Sequence, residues 1–166
     1  AHIRSIDTSR ARDCPGVDAV LTAKDIPGER TMGPIIKDQP VLCSDVVRYV
    51  GDAVALVAAE SERSAEEALA QIVEEYEALT PVLDPLKAME PGAPQVHSRG
   101  NIGTHFKVRR GDVEAAFRDA TVVVEKRFFY PRVEHAYMEP EIALVACDPS
   151  GGVTVWSSTQ YPHLDR

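Results

Sequence analysis

Prolines and glycines divide this chain into two parts. The segment 85–100 holds three of the 12 prolines and two glycines. Proline lacks an amide hydrogen and glycine weakens regular structure, so this segment suits neither a long helix nor a central strand. It is predicted to be a linker that begins with one short helix. The linker would join a first domain at 1–84 to a second part at 101–166.

The composition predicts a folded protein that does not bind nucleic acid. Hydrophobic residues make up 44% of the 166 residues and charged residues 27%, which is enough apolar surface for a packed core. The net charge is -8, whereas binding to phosphates needs a basic surface. The longest apolar run, Ala53–Ala59, is too short to cross a membrane. No membrane partner is therefore expected.

The three cysteines, Cys14, Cys43 and Cys147, lie far apart and none belongs to a Cys-x-x-Cys pair. No binding site for a metal ion or an iron–sulfur cluster is therefore predicted in this chain. Buried thiols in a reducing compartment are expected, and the cytoplasm is the predicted location. The chain opens at Ala1 and closes at Arg166 close to regular structure, so both ends are predicted to be cut.

The first part alternates short strands and helices. A nearly all-apolar strand at Ala53–Ala59 is predicted to be central, because burial on both faces favours such a run. The region Gly28–Pro40 is predicted to be a surface loop. Helices are predicted after Asp7-Thr8-Ser9, as one turn at Thr22–Asp25, and at Ser61–Ile72. Further strands are predicted at Ile3–Ile6, Val17–Leu21, Asp45–Tyr49 and Val73–Tyr76.

The second part is predicted to be rich in antiparallel strands. A helix at Asp112–Arg118 would bury Val113, Ala116 and Phe117 on its inner side. Strands are predicted at Thr104–Val108 and Thr121–Tyr130, followed by a hairpin of Ile142–Cys147 and Val153–Ser158. The fold class is therefore α+β: a mixed first domain and then a β-rich unit.

Two polar stretches are candidates for chemistry. The first runs from Glu134 to Glu141 and includes His135 and Glu139, so carboxylates and an imidazole are close enough to tune each other's pKa. Its structural interpretation, a hydrogen-bonded His135–Glu139 pair at a corner between strands, is favoured because satisfied polar groups are commoner than catalytic ones.

The second polar stretch, Ser157–His163, follows a strand, and its Pro162 is suited to open a helix. Ligand-binding groups often converge where a strand leads into a helix. The structural interpretation is a helix cap formed by the serine and threonine hydroxyls, and the pattern alone favours it.

Eight short motifs, in this order along the chain, resemble the molybdenum-binding subunit of the xanthine dehydrogenase/aldehyde oxidase family. They are Ala1–Ala11, Cys14–Val17, Val50–Ala55, Ala65–Ala68, Glu74–Val82, Gly111–Phe117, Glu134–Pro140 and Ser157–Gln160. The resemblance implies an α/β hammerhead domain, without its first strand, followed by the beginning of a molybdenum-cofactor domain. It also implies hydroxylation of an aldehyde or a nitrogen heterocycle such as xanthine, with oxygen derived from water.

The same resemblance assigns one cofactor-binding residue. Gln160 matches a glutamine that hydrogen-bonds an oxygen ligand of molybdenum in xanthine-oxidising members, while His135 and Glu139 are interpreted as structural support. The family's pterin-holding glycine segments and its general-base glutamate have no counterpart here, so no catalytic residue is expected and the chain alone should be inactive. The implied cofactor is a molybdenum pterin, favoured in its cytosine dinucleotide form.

Partners and alternatives follow from the same resemblance. Iron–sulfur clusters and FAD are expected on other domains or subunits, and the remainder of the molybdenum subunit and a small-molecule substrate are expected partners. One alternative is a naturally separate, non-catalytic assembly module that pairs with a cofactor-binding chain. Another is a free-standing protein that binds a small aromatic ligand, and its only support is the presence of Trp156, Tyr161 and Phe128. Those three are better explained as core residues.

Overall fold

The structure, a computed structural model, describes residues 1–138 and 141–165. The chain forms two compact units, residues 1–106 and 107–166. Both combine antiparallel strands with short helices, and together they confirm the predicted α+β class. None of the described helices is long and apolar enough to cross a membrane.

The first unit contains three separate antiparallel pairs of strands, two long ones and one short one. Strand β1 (His2–Asp7) pairs with β6 (Val73–Glu77), and strand β2 (Val17–Thr22) pairs with β5 (Ala55–Ala59). The other elements are helix α1 (Ser9–Arg12), a 3-10 turn (Ala23–Asp25), β3 (Thr31–Met32), β4 (Gln39–Pro40), helix α2 (Glu62–Leu69) and a 3-10 turn (Lys87–Met89). The last of these is the short helix predicted at the start of the segment 85–100.

The core of the first unit lies where both helices pack on the β2–β5 pair. Val20 of β2, Ala11 of α1 and Ala68 of α2 are completely buried, and Ile72 just after α2 is 9% exposed. Ile6 of β1 packs against this cluster. Full burial of one aliphatic side chain such as that of Val20 contributes about 1.5–3 kcal/mol, so this small cluster carries much of the unit's stability.

Local side-chain caps begin helix α2 and the first 3-10 turn where the sequence predicts them, whereas helix α1 begins after Thr8 without a side-chain cap. The Ser61 hydroxyl accepts a hydrogen bond from the amide of Ser64 at 3.1 Å and begins α2. At the 3-10 turn, the Asp25 carboxylate accepts hydrogen bonds from the amide and the hydroxyl of Thr22, and these bonds lower the pKa of Asp25. Such caps satisfy amides that have no partner within the helix.

One strand prediction and one loop prediction for the first unit are wrong in detail. The segment predicted as a strand at Asp45–Tyr49 makes only an isolated bridge, between Val46 and His2 of β1. Its extended path ends because the Asp52 carboxylate accepts hydrogen bonds from the amides of Arg48 and Tyr49, which turns the chain. The predicted loop Gly28–Pro40 contains the short pair β3–β4.

The apolar strand β5 is not central. In the part of the chain that the structure describes, it pairs with β2 alone, and its residues alternate between half-buried and exposed. Val57 faces the core, whereas Leu56 on the opposite face is 51% exposed. A continuous apolar run therefore did not imply burial on both faces here, because helices cover only one face of the pair.

The expectation of buried thiols holds for one cysteine only. Cys43 is 2% exposed, Cys14 is half-buried and Cys147 is exposed. Burial raises the pKa of the Cys43 thiol, and the nearby Asp52 carboxylate raises it further. Cys43 therefore stays a neutral thiol and behaves as a small apolar side chain.

The second unit contains helix α3 (Val113–Asp119), a hairpin of β7 (Ala143–Cys147) and β8 (Val153–Ser157), and helix α4 (Pro162–Asp165). The Asp112 carboxylate caps α3 by accepting a hydrogen bond from the amide of Ala115 at 2.9 Å, as the sequence predicts. None of the described residues in this unit is buried. The expectation that α3 buries Val113, Ala116 and Phe117 is therefore wrong within this unit.

The strands predicted at Thr104–Val108 and Thr121–Tyr130 are absent from the described residues of the chain. Alternating side chains reflect the two faces of an extended chain, but a strand exists only when its amides and carbonyls pair with a second strand. Neither segment has such a partner among the described residues, so both run without regular structure.

Candidate functional site

The hairpin brings the two polar stretches of the second unit to the same end. Ala143, which begins β7, lies opposite Ser157, which ends β8, and Cys147 lies opposite Val153 at the other end. At the open end of the hairpin, the stretch that precedes β7 therefore ends and the stretch that follows β8 begins. This proximity was not predicted from the sequence, although it follows from the register of the predicted hairpin.

The closed end of the hairpin is fixed by Asp148. Its carboxylate accepts hydrogen bonds from the amide of Ser150 at 2.7 Å and of Gly152 at 3.1 Å, and also from the Ser150 hydroxyl. These bonds lower the pKa of Asp148, and the largest contribution comes from the Ser150 hydroxyl. Gly151 adopts a φ of 91° in the same turn, where a side chain would be strained.

Gln160 lies in a bend between β8 and α4. The Thr159 hydroxyl accepts a hydrogen bond from the amide of Tyr161 at 2.9 Å, and α4 then begins at Pro162, as predicted. This bond closes a turn before α4, because the Tyr161 amide precedes the helix, so the cap interpretation stays a prediction. The Gln160 side chain is exposed, and no described residue hydrogen-bonds its amide.

The Glu134–Glu141 stretch precedes strand β7 in the chain. The Glu134 carboxylate accepts a hydrogen bond from the backbone amide of His135 at 3.0 Å, and both side chains are exposed. Ala136 adopts a φ of 54°, the left-handed region that alanine rarely enters. The predicted His135–Glu139 pair involves Glu139, which lies outside the described residues.

The aromatic residues and potential metal ligands give no second site. Trp156, Tyr161 and Phe128 are 54%, 65% and 71% exposed, so their interpretation as core residues is wrong for this unit. Among residues 1–138 and 141–165, no three His, Cys, Asp or Glu side chains are grouped to hold a metal ion.

Comparison with protein families accounts for nearly the whole chain. Residues 1–80 match the a/b hammerhead domain of aldehyde oxidase and xanthine dehydrogenase, and residues 96–166 match the molybdopterin cofactor-binding domain. The chain therefore belongs to the xanthine dehydrogenase/aldehyde oxidase family of molybdenum-dependent oxidoreductases, as its eight motifs predicted.

Two curated bacterial relatives align with the entire chain. It is 45% identical to a probable xanthine dehydrogenase subunit of Bacillus subtilis, and it covers 22% of that protein. It is 42% identical to the nicotinate dehydrogenase large molybdopterin subunit of Eubacterium barkeri, and it covers 39% of that protein. The chain thus spans well under half the length of these relatives.

Solved structures show the same fold. The Cu,Mo-CO dehydrogenase in its carbon monoxide reduced state superposes with a TM-score of 0.83 at 34% identity over 99% of this chain and 23% of its own. The aldehyde oxidoreductase of Desulfovibrio gigas superposes with a TM-score of 0.82 at 31% identity, over 95% and 18% respectively.

The residues at the open end of the hairpin fit one role toward a molybdenum–pterin group. A neutral, exposed amide without a described partner is free to donate a hydrogen bond to an electron-rich ligand, and it adds no charge. The exposed side chains of this end do not by themselves enclose a ligand of that size, and tight binding needs most of the ligand surface covered. The fit is therefore that of one wall of a larger site.

Proposed function

We propose that this chain is part of the large subunit of a molybdenum hydroxylase that oxidises a nitrogen heterocycle or an aldehyde. The observation that carries the proposal is the position of Gln160, exposed at the open end of the hairpin, in a region that matches a molybdopterin cofactor-binding domain. Nitrogen heterocycles are the favoured substrates because the two relatives that align with the whole chain are named for xanthine and nicotinate.

In this proposal the residues of this chain position the cofactor and do not themselves take part in the reaction. The bond between the Thr159 hydroxyl and the Tyr161 amide fixes the bend from which the Gln160 side chain leaves the backbone. The Gln160 amide then donates a hydrogen bond toward the cofactor, and Asp148 holds the far end of the hairpin in register. No catalytic residue is proposed within these 166 residues.

When bound, a molybdenum–pterin group would supply a two-electron oxidation in which a substrate C–H bond becomes C–O, with the oxygen taken from water and two electrons and two protons released. We propose that the pterin is in its cytosine dinucleotide form and that electrons leave through iron–sulfur clusters and FAD on other domains or subunits. The remainder of the large subunit completes the cofactor site.

The organisation that goes with this function is a hammerhead domain at 1–84, a connecting segment at 85–100, and the start of the cofactor domain at 101–166. The cytoplasm is the proposed location, because the three cysteines are free thiols and suit a reducing compartment.

Turnover in isotopically labelled water tests the proposed function. The intact protein is expected to oxidise xanthine, nicotinate or an aldehyde with an artificial electron acceptor, and in ¹⁸O-labelled water the product should carry the label. The separate chain 1–166 is expected to show no turnover on the same substrates, because it supplies only one wall of the site.

Two outcomes would contradict the proposed function. Label that enters the product from O₂ instead of water would exclude the proposed hydroxylation. Turnover by the separate chain would show that the catalytic groups lie within residues 1–166. A third outcome would favour the assembly module. In that case the intact protein oxidises none of these substrates, and the chain 1–166 binds tightly to a separate cofactor-binding chain.

A further inference from the structure

The segment 85–101 is closed on itself by one side chain. The Asn101 amide nitrogen donates to the carbonyls of Ala88 and Pro94, each at 2.9 Å, and its carbonyl oxygen accepts from the amide of Val96 at 2.8 Å. Both donor hydrogens and the acceptor of one asparagine are therefore used. Residues 88–101 form a closed loop instead of an extended connection.

Two side chains of the first unit fasten this loop from outside. The Arg48 guanidinium donates to the carbonyl of Val96 at 3.2 Å, across 48 positions of sequence. The Asp38 carboxylate lies 3.5 Å from the Arg99 guanidinium and 3.9 Å from the imidazole of His97. All of these groups are largely exposed, so each contact is weak on its own and is easily exchanged for water.

The loop itself carries little buried apolar surface. Leu86 and Met89 are 64% and 56% exposed, and residues 81–94 surround an open cavity of about 470 Å³. The core of the first unit, by contrast, is built only from residues that precede position 73. Segments with few buried apolar contacts and exposed hydrogen bonds open at lower free energy than the core.

We propose that residues 85–101 form a strap, closed by Asn101 and clipped to the rest of the first unit by Arg48 and Asp38, that detaches and re-attaches as one piece while the β1–β6 and β2–β5 pairs stay folded. Opening the strap would open the cavity at 81–94. The proposal does not depend on the hydroxylase function.

Hydrogen–deuterium exchange of the intact protein tests the strap. The double variant D38N/R48M removes the charge of Asp38 and the hydrogen-bond donor of Arg48, and the amides of Val96 and Gly100 are expected to exchange about tenfold faster. The variant N101D keeps the acceptor for Val96 but removes both donated bonds, and it should accelerate the same amides at least as much. The amides of Cys43 and Glu60, which bond to Ala53 and Gly16, should not change.

The control variant E66Q/R109M removes the same two charges from exposed positions in helix α2 and in the second unit. It is expected to leave strap exchange unchanged. Equal acceleration of the strap and of the Cys43 and Glu60 amides would show that the strap is part of the core's cooperative unit. Unchanged strap exchange in both D38N/R48M and N101D would show that these side chains do not hold it. Either result overturns the proposal.

Discussion

Replacing Gln160 by alanine in the intact protein is expected to lower turnover about 10- to 100-fold, while the protein keeps its fold. The side chain is exposed in the described structure and makes no hydrogen bond to a described residue, so its removal leaves no buried group unpaired. In the proposed function, the variant loses a neutral hydrogen-bond donor directed toward the cofactor. The effect should fall mainly on kcat, because a ligand-orienting hydrogen bond is not a substrate contact.

The measurement is kcat and KM together with the visible absorption spectrum and the metal content of each variant. Gln71→Ala is the matched control, since Gln71 is also exposed but lies after helix α2 in the first unit. The control should retain full turnover. If Q160A and Q71A behave alike in turnover and in metal content, Gln160 does not contact the cofactor.

Replacing Val20 by aspartate is expected to unfold the first unit. Val20 is completely buried between the β2–β5 pair and the two helices, and no described polar side chain is buried there to pair with a carboxylate. An unpaired carboxylate in such a place costs about 4 kcal/mol or more, which is a large part of the stability of a small domain.

Leu21→Asp is the control for this variant. Leu21 is the next residue of β2 and is 42% exposed on the opposite face, so the same chemical change should cost far less. Exchange of the β2 and β5 amides should accelerate on the order of 1,000-fold in V20D and only slightly in L21D. A larger effect for L21D would mean that the inner and outer faces of this pair are assigned the wrong way round.

The sequence predicted those parts of the fold that depend on near neighbours. Ser61 and Asp112 cap helices through amides only three residues away, so the residue type and spacing are enough to locate them. The hairpin β7–β8 was predicted for the same reason, because a short turn rich in aspartate and glycine joins its strands.

Features that depend on distant partners were not predicted. The alternation in Thr121–Tyr130 is the same whether or not a pairing strand exists, and no described strand pairs with it. The sequence of β5 likewise does not show which elements pack on it. A strand that is buried on one face was therefore predicted to be buried on both. The role of Asn101 in closing the loop was not predicted either, because its side chain donates to backbone carbonyl groups, which every residue has.

The candidate site was only partly accessible from the sequence. Its residue types matched both a cap and a ligand-binding end, and the resemblance to a family was needed to single out Gln160. The structure adds that the stretch before β7 and the stretch after β8 meet at one end of the hairpin, which follows from the register and not from any motif.

The central claim is that this chain serves in a molybdenum enzyme, and metal analysis of the intact protein tests it most directly. The protein should be produced in a host that assembles the molybdenum–pterin cofactor, and its molybdenum should be measured by mass spectrometry. We expect a stoichiometric amount of molybdenum and the release of a cytosine nucleotide on acid hydrolysis. Intact, folded protein that contains neither molybdenum nor pterin would contradict the claim.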